Sequence, residues 1–353
     1  MGTAKMPCLF FYIKSSNKIF LSHGLSLSLQ LETNKTFYTM ISRRILRIKV
    51  LQTIYSYYQG EGELINAQKE LAASIDRSYD LYFYVLQLCV EVADYCDRQQ
   101  EAAKLKYMAT LTELNPNKKF VNNKLITQLR ENEALQTYLT ARSLSWAQYQ
   151  HVPKSVFNDL ALTDEYKAYM ADKEESYAKD KAIVAFMLEH VILENNDFFD
   201  AIESQSVYWI DTVEFFVGMA LRTIDRYKAS HGANAKVLPK YKNDEDAQFA
   251  DQLLLKAVAG CDKYREMISE NAENWDLERI ALLDILLIQV ALAEVEQFPN
   301  IPLRVTFNEY IEIAKNYSTE KSPLFINGVL DKIVQKLRES GDIIKPTDAL
   351  PTE

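Results

Sequence analysis

Helical periodicity with very few helix-breaking residues constrains the fold of this chain more than any other feature. Glycine and proline each supply only 9 of the 353 residues, while Leu, Ala, Glu, Lys and Ile recur at spacings of three and four. No proline occurs between Lys154 and Leu238. Because both breakers are rare and the apolar period is that of an α-helix, we predict an all-α helical bundle.

Capping and breaking signals divide the chain into helical segments. Residues 42–59 open with Ser42 as a capping residue and close at Gly60, which predicts a helix of about 17 residues. Further helical segments are predicted at 63–111, 120–150, 154–230 and about 245–270, with breaks at 151–153 and 231–232. After residue 274 the run NWDLERIALLDILLIQVALAEVEQF is nearly continuously apolar, which predicts a helix that is buried on most sides.

The last two helical segments carry the most specific local chemistry. VTFNEYIEIAKNY is amphipathic, and SPLFINGVLDKIV follows it at Ser322 to Val334. Ser322 and Pro323 predict an N-cap and a first helical residue. Gly328 falls inside the same helix, where glycine costs roughly 1 kcal/mol relative to alanine. We interpret Gly328 as a point of close backbone approach.

Four regions are predicted along the chain. Residues 1–39 lack a sustained period and end at Met40, so we interpret them as a disordered leader or as residues upstream of the true start. A cleaved signal peptide is the alternative. Residues 40–270 are predicted to form an N-terminal helical subdomain with a large helical insertion, residues 271–340 a C-terminal helical subdomain, and residues 341–353 a flexible tail.

Residue types that catalysis or metal binding requires do not cluster. The glycine pair Gly60 and Gly62 lacks a following Lys-Ser/Thr, the four histidines lie 39 or more residues apart, and no GxSxG occurs. We therefore predict no enzymatic activity, no cofactor, no metal site and no small-molecule substrate. Four cysteines without a CxxC pair predict reduced thiols in a cytoplasmic protein. No apolar run is long enough to predict a membrane span.

A basic and aromatic strip on the first helix indicates a nucleic-acid contact. The formal charge is −9 overall, but residues 40–59 hold basic residues and no acid. At helical spacing Arg43, Arg44 and Arg47 share one arc, with Tyr55 and Tyr58 near it further along. Guanidinium groups neutralise phosphates and tyrosine rings stack on bases, so the strip suits single-stranded RNA. The same spacing also fits a solvated arginine face with the tyrosines in the core.

Two stretches of the chain carry a recurrent set of motifs. Within IPLRVTFNEYIEIAKNYSTEKSPLFINGVLDKIV the matching elements are Asn308-Glu309, Ala314-Lys315, Ser322 and the FINGVLD of 325–331. Together with NWDLERIALLDILLIQVALAEV, this region resembles the family of the transcription antitermination factor NusB, and RRILRIKVLQTIY is similar to the family's Arg-rich first helix. The resemblance covers about residues 41–59 and 274–338, and the long segment between them looks like the enlarged Bacteroidetes-type members.

The resemblance implies both a fold and a function. It implies two helical subdomains, no catalysis, binding to the boxA element of nascent ribosomal RNA leader transcripts, and pairing with NusE, the small-subunit ribosomal protein. The resulting RNA polymerase antitermination complex would read through terminators. By the same resemblance, the RNA-binding residues would be Arg43, Arg44, Arg47, Tyr55, Phe325 and Asn327, and the NusE-binding residues would be Asp284 and Tyr55.

Three positions depart from the family pattern. Gln289 and Ile45 stand where members often have basic residues, and Lys321 stands where an acid is common. The alternative function is therefore a helical protein-interaction scaffold with weakened or lost RNA binding. NusB-like modules also occur fused to rRNA methyltransferases, but such an enzyme needs a further α/β domain with a glycine-rich loop, which this sequence does not contain.

Overall fold

Helices form most of the part of the chain that the structure describes. The computed structural model describes residues 40–60, 62–272, 280–343 and 345. These ranges contain helices and no strand, so the predicted all-α class is confirmed. The leader predicted at 1–39 and most of the tail predicted at 341–353 lie outside the described residues. No helix in these ranges combines the length and the apolar character that crossing a membrane requires.

We number the α-helices in chain order. They are α1 Arg43–Gln59, α2 Leu64–Lys104, α3 Leu111–Leu114, α4 Lys124–Arg130, α5 Glu133–Arg142, α6 His151–Leu162, α7 Asp164–Ala171, α8 Tyr177–Phe186, α9 Asn196–Gln205, α10 Val213–Arg226, α11 Asp244–Ala259, α12 Cys261–Asn271, α13 Leu282–Gln297, α14 Leu303–Tyr317 and α15 Ser322–Glu339. Short 3-10 or π-helical turns lie at Trp146–Tyr149, Met187–Val191, Ile192–Glu194, Ile210–Thr212 and Ala229–Asn234.

Contacts divide the described chain into two compact units. The first, here called the terminal unit, combines residues 42–75 with the described part of 241–353, and therefore contains α1 and α11 to α15. The second, here called the inserted unit, is formed by residues 76–240 together with Met40 and Ile41. The subdomain boundary predicted after residue 270 stays a prediction.

Local capping chemistry sets both ends of α1. The Ile45 N–H donates to Ser42 Oγ at 3.4 Å, and the helix ends before Gly60 after 17 residues, as predicted. All ten residues from Ile45 to Ile54 are buried. The helix packs against α11 and α13 within the terminal unit. Most of α1 is therefore a core helix, and only its ends reach the surface.

One break predicted within the inserted unit is misplaced. Helix α6 begins at His151, so Pro153 lies in its first turn. Backbone N–H groups in a first turn have no acceptor within the helix, so a proline there costs no helical hydrogen bond. The predicted segment 154–230 is divided elsewhere, at polar residues that cap the helices after them. Thr163 caps α7 and Asn195 caps α9 through their side-chain oxygens.

The helix predicted at about 245–270 is two helices. Helix α11 ends at Ala259 and α12 begins at Cys261, with Gly260 between them. A β-carbon on Gly260 would lie 2.3 Å from the Tyr264 ring. The close approach of this ring to the backbone therefore requires glycine at the junction.

The last helix differs from its prediction in two details. Helix α15 begins at Ser322 itself, so the predicted N-cap role of Ser322 is wrong. Its Oγ donates instead to Asp284 Oδ2 at 2.7 Å, which ties the start of α15 to α13. Gly328 is exposed, and a β-carbon there would meet no atom within 4 Å. Close backbone approach within the described chain is therefore the wrong explanation for this glycine.

Candidate nucleic-acid interface

Arg47 is the most buried of the three arginines on α1. Its side chain is 3% exposed, and its Nε and Nη2 donate to Glu294 Oε2 and Oε1 at 2.6 and 2.7 Å. Glu294 also accepts from Thr306 Oγ1 at 2.8 Å and from Tyr310 OH at 3.1 Å. Burial alone would lower the pKa of Arg47, but the hydrogen bonds and negative charge of Glu294 outweigh it and raise that pKa. Arg47 therefore joins α1 to α13 and α14 inside the terminal unit.

Arg44 and Arg43 are more accessible. Arg44 Nε and Nη2 donate to Glu309 Oε2 and Oε1, both at 2.8 Å, and the side chain is 48% exposed. Arg43 Nε donates to Asp246 Oδ1 at 2.7 Å, and its side chain is 33% exposed. The Arg43 guanidinium also lies 5.1 Å from the centroid of the Phe249 ring. Two guanidinium groups thus lie at the start of α1, each held by a carboxylate from another helix of the terminal unit.

These carboxylates change the electrostatics of the candidate interface. The positive charge of an arginine at a helix N-terminus interacts unfavourably with the helix dipole, by about 0.3–1 kcal/mol. Asp246, Glu294 and Glu309 compensate that positive charge from within the protein. A phosphate can therefore approach the exposed sides of Arg43 and Arg44, but it must share them with a carboxylate that already accepts strong charge-assisted bonds.

The two tyrosines of the predicted strip have different surroundings. Tyr58 OH accepts from Gln289 Nε2 at 2.9 Å, and the Arg265 guanidinium lies 5.1 Å from the Tyr58 ring centroid. Burial, followed by the hydrogen bond with Cys261, raises the pKa of Tyr58 to about 12. Tyr58 is therefore engaged by its own unit, whereas Tyr55 is half-buried at the same end of α1. Gln289, where the family pattern often has a basic residue, is fully buried.

Asp284, predicted to contact NusE, is part of a buried hydroxyl network. Its Oδ1 accepts from Ser318 Oγ at 2.5 Å and its Oδ2 from Ser322 Oγ at 2.7 Å, and the residue is only 5% exposed. The Thr319 N–H donates to the same Ser322 Oγ at 3.2 Å. Asp284 therefore fixes the turn between α14 and α15 against the start of α13, and any effect on a partner would act through that turn.

Helix α15 places its two predicted RNA residues on different faces. Phe325 is 4% exposed and lies in the core of the terminal unit. Asn327 is exposed, as is the neighbouring Gly328. Leu324, one turn before them, is 74% exposed. The outer face of α15 therefore presents Asn327, Gly328 and Leu324, and Phe325 supports that face from beneath.

Sequence reasoning missed the carboxylates that hold the arginines. Glu309 belongs to the Asn308-Glu309 motif, and its place in that motif was the only sequence signal that this carboxylate has a specific role. Glu294 is an acid within the apolar run ALAEV, and a charge in such a run predicts a buried partner of opposite sign. Asp246 falls in an acidic first turn that resembles ordinary helix capping.

The fold and the ion pairs define a class: an all-α protein in which the arginine-bearing helix α1 is bonded to α11, α13 and α14. The sequence pattern of the NusB family matches residues 217–335. A protein of Natranaerobius thermophilus is 32% identical over 108 residues, covering 76% of that protein and 31% of this chain. The chain belongs to the NusB family, and the resemblance predicted from its motifs is confirmed.

Other relatives agree over the same limited share of the chain. A protein of Finegoldia magna is 36% identical over 99 residues, 72% of its length and 28% of this chain. One of Salinibacter ruber is 38% identical over 105 residues, and this chain spans 66% of its length. All three relatives carry the name transcription antitermination protein NusB. The family match does not include α1, and no solved structure matches the chain.

Proposed function

We propose that this protein is an RNA-binding transcription antitermination factor. It binds the boxA element of nascent ribosomal RNA leader transcripts together with NusE and promotes read-through by RNA polymerase. The observation that carries this proposal is the family match across α13 to α15, since Glu294 of α13 and Glu309 of α14 bond Arg47 and Arg44 of α1. Membership of a family of antitermination proteins and an arginine surface attached to the matched helices support the same function.

The three arginines of α1 differ in exposure, and we assign them different roles accordingly. Arg44 and Arg43 are 48% and 33% exposed, so they are the proposed phosphate contacts. Arg47 is 3% exposed and bonded to Glu294. Its proposed role is to fix the angle of α1, so that the other two guanidinium groups keep their positions before RNA arrives. A surface fixed in advance loses less conformational entropy on binding.

The proposed contacts of NusE and of further RNA lie at positions of α1 and α15 that are at least partly accessible. Tyr55 is half-buried, and Asn327 is exposed beside Gly328. A glycine without neighbours on an exposed helix face lets another backbone or a base approach closely. Asp284 and Phe325 support these positions from the interior and are proposed to act on binding only through the shape of the surface.

An electrophoretic-shift titration with boxA RNA tests the proposed function. We expect boxA RNA to bind more tightly than a scrambled RNA, and more tightly again when NusE is present. Phosphate contacts should make the affinity fall with salt, by about 0.7 log units per log unit of salt for each phosphate of a single strand. Equal affinity for boxA and scrambled RNA, with and without NusE, would contradict the proposal.

A helical protein-interaction scaffold is the second candidate. The observation that favours it is that each arginine of α1 already bonds a carboxylate of its own unit, which reduces the positive potential offered to RNA. The scaffold predicts NusE binding without any gain in affinity for boxA RNA. Calorimetric titration of the chain with NusE, before and after addition of boxA RNA, distinguishes the two functions.

A further inference from the structure

The inserted unit contains an open cleft that the proposed function does not use. Its volume is about 440 Å3. One wall is the C-terminal part of α2 and the other is the start of α6. The lining residues are Tyr95, Arg98 and Gln99 on the first wall, and Gln150, His151 and Lys154 on the second.

The lining of this cleft is basic although the unit around it is acidic. Residues 76–240 contain 24 acidic and 19 basic residues. No carboxylate lines the cleft, whereas two permanent cations and a histidine do. The acids nearest to Arg98 in sequence are engaged elsewhere: Asp97 and Glu101 bond Lys118, and Asp94 bonds Arg130. The positive potential of the cleft is therefore local and is directed into a concave surface.

Arg98 and Lys154 differ from the arginines of α1 in their partners. Both are exposed. Neither forms a salt bridge with any carboxylate among the residues that the structure describes, although Glu91 interacts electrostatically with Arg98 at longer range. An anion that enters the cleft can therefore bind both cations without displacing an internal carboxylate. Arg44, by comparison, would have to share its guanidinium with Glu309.

The remaining lining residues favour a nucleic acid over a simple anion. The Tyr95 ring is half-buried, with its centroid 5.9 Å from that of Phe157, so one edge is supported and the ring still borders the cleft. A supported aromatic ring is a stacking surface for an unpaired base. Gln99 and Gln150 each offer a carboxamide that can donate to and accept from a base edge.

We propose that this cleft binds a single-stranded segment of the transcript outside boxA. Arg98 and Lys154 bind backbone phosphates, Tyr95 stacks on a base, and the two glutamines bond base edges. This proposal rests on the proposed function in one respect, since it takes the RNA that enters the cleft to be part of the transcript that carries boxA. An acidic peptide would use the two cations equally well, but it would gain nothing from the stacking surface of Tyr95.

The experiment compares two RNAs and three variants of the full chain. The RNAs are fluorescein-labelled boxA alone and boxA extended by a single-stranded uridine tract. The variants are Arg98→Ala/Lys154→Ala, Tyr95→Leu, and the matched control Lys173→Ala/Lys236→Ala, which removes two exposed lysines of the same unit that do not line the cleft. Fluorescence anisotropy is measured across a salt series, and circular dichroism checks that each variant is folded.

The cleft proposal predicts a selective loss. Arg98→Ala/Lys154→Ala should weaken binding of the extended RNA about fivefold or more and lower its salt slope by about 1.4, while boxA alone is unaffected. Tyr95→Leu should weaken the extended RNA without changing the slope, because stacking displaces no counterions. The control variant should match the wild type on both RNAs.

Other outcomes assign the failure to one proposal or the other. If the extended RNA binds wild type and Arg98→Ala/Lys154→Ala equally, the cleft proposal is wrong and the proposed function stands. If boxA alone binds neither with nor without NusE but the extended RNA binds through the cleft, the proposed function is wrong and the cleft proposal stands. A labelled glutamate-rich peptide that binds in a manner dependent on Arg98 and Lys154, with no effect of these residues on RNA, would replace RNA with an acidic protein partner.

Discussion

Arg47 and Glu294 form the ion pair on which the start of α1 depends. Both side chains are buried, at 3% and 0% exposure, and the bond is bidentate. Removing one partner of such a pair leaves a buried charge without compensation, whereas removing an exposed partner does not. The same residue type therefore has different consequences at positions 47 and 44.

We expect Arg47→Met to lower the free energy of unfolding of the terminal unit by about 3–5 kcal/mol. Arg44→Met, the matched control on the same helix, should cost under about 1 kcal/mol because its side chain is 48% exposed. Urea titration followed by circular dichroism measures both. Adding Glu294→Gln to Arg47→Met should recover part of the loss, since it removes the stranded charge. Equal costs at positions 47 and 44 would contradict the buried role of Arg47.

We expect the loss of the Phe325 ring to reduce folding stability more than it reduces RNA affinity. Its side chain is 4% exposed, so Phe325→Ala should destabilise the terminal unit by about 3–5 kcal/mol. The exposed Asn327, two residues on, provides the control: Asn327→Ala should leave stability within about 0.5 kcal/mol. Thermal unfolding and boxA affinity are measured on both variants. A Phe325→Ala protein of wild-type stability that binds RNA poorly would restore the direct RNA role predicted from the sequence.

Glu296 should contribute to the acid sensitivity of the terminal unit. Burial disfavours its charge, but Lys263 Nζ at 2.6 Å, Lys256 Nζ at 2.9 Å and Tyr264 OH at 3.0 Å outweigh burial and lower the pKa of Glu296. A carboxylate with a lowered folded pKa contributes stability above its unfolded pKa of about 4.3, and that stability is lost as pH falls through the folded value.

The Glu296→Gln variant checks this contribution. It should be less stable than the wild type at neutral pH and should lose less stability on acidification, so the two curves converge below about pH 4.3. Urea midpoints measured across an acid pH series give both curves. Glu320→Gln, at an exposed position of the α14–α15 turn, controls for the loss of one carboxylate. Parallel curves for Glu296→Gln and the wild type would show that Glu296 has no such role.

At the scale of elements, α15 carries an exposed glycine that its own fold does not require. A β-carbon at Gly328 meets no atom within 4 Å. Gly328→Ala should therefore raise the free energy of unfolding by about 1 kcal/mol, through helix propensity alone. If RNA or NusE approaches this face closely, the same substitution should weaken that binding. Stability that is unchanged or lower, measured by urea titration, would mean that the helix needs glycine here for another reason.

Helix α1 shows what sequence could and could not predict at this scale. Its limits follow from Ser42 and Gly60, which act on residues within one turn, so local chemistry was enough to predict them. The partners of its arginines are remote: Asp246 lies 203 residues from Arg43, Glu294 lies 247 residues from Arg47, and Glu309 lies 265 residues from Arg44. Spacing along one helix carries no information on charges that other helices bring to it.

For the whole molecule, the fold class and family could be predicted from the sequence, but the segments that make up each unit could not. Rare glycine and proline specified helices, and the Asn308-Glu309 and FINGVLD motifs specified the family. The terminal unit, however, is assembled from two segments separated by residues 76–240. Periodicity describes each helix but not which distant helices share a core, so the basic cleft of the inserted unit was also invisible in sequence.

The proposed function depends on the claim that Arg43 and Arg44 bind boxA RNA, and one titration decides it. Electrophoretic shifts are measured for the NusE-bound chain with Arg43→Ala/Arg44→Ala, beside Arg304→Ala/Arg338→Ala as an exposed control in the same unit. We expect about tenfold weaker boxA binding and a salt slope smaller by about 1.4 for the first variant only. Wild-type affinity and slope in that folded variant would contradict the claim and favour the scaffold.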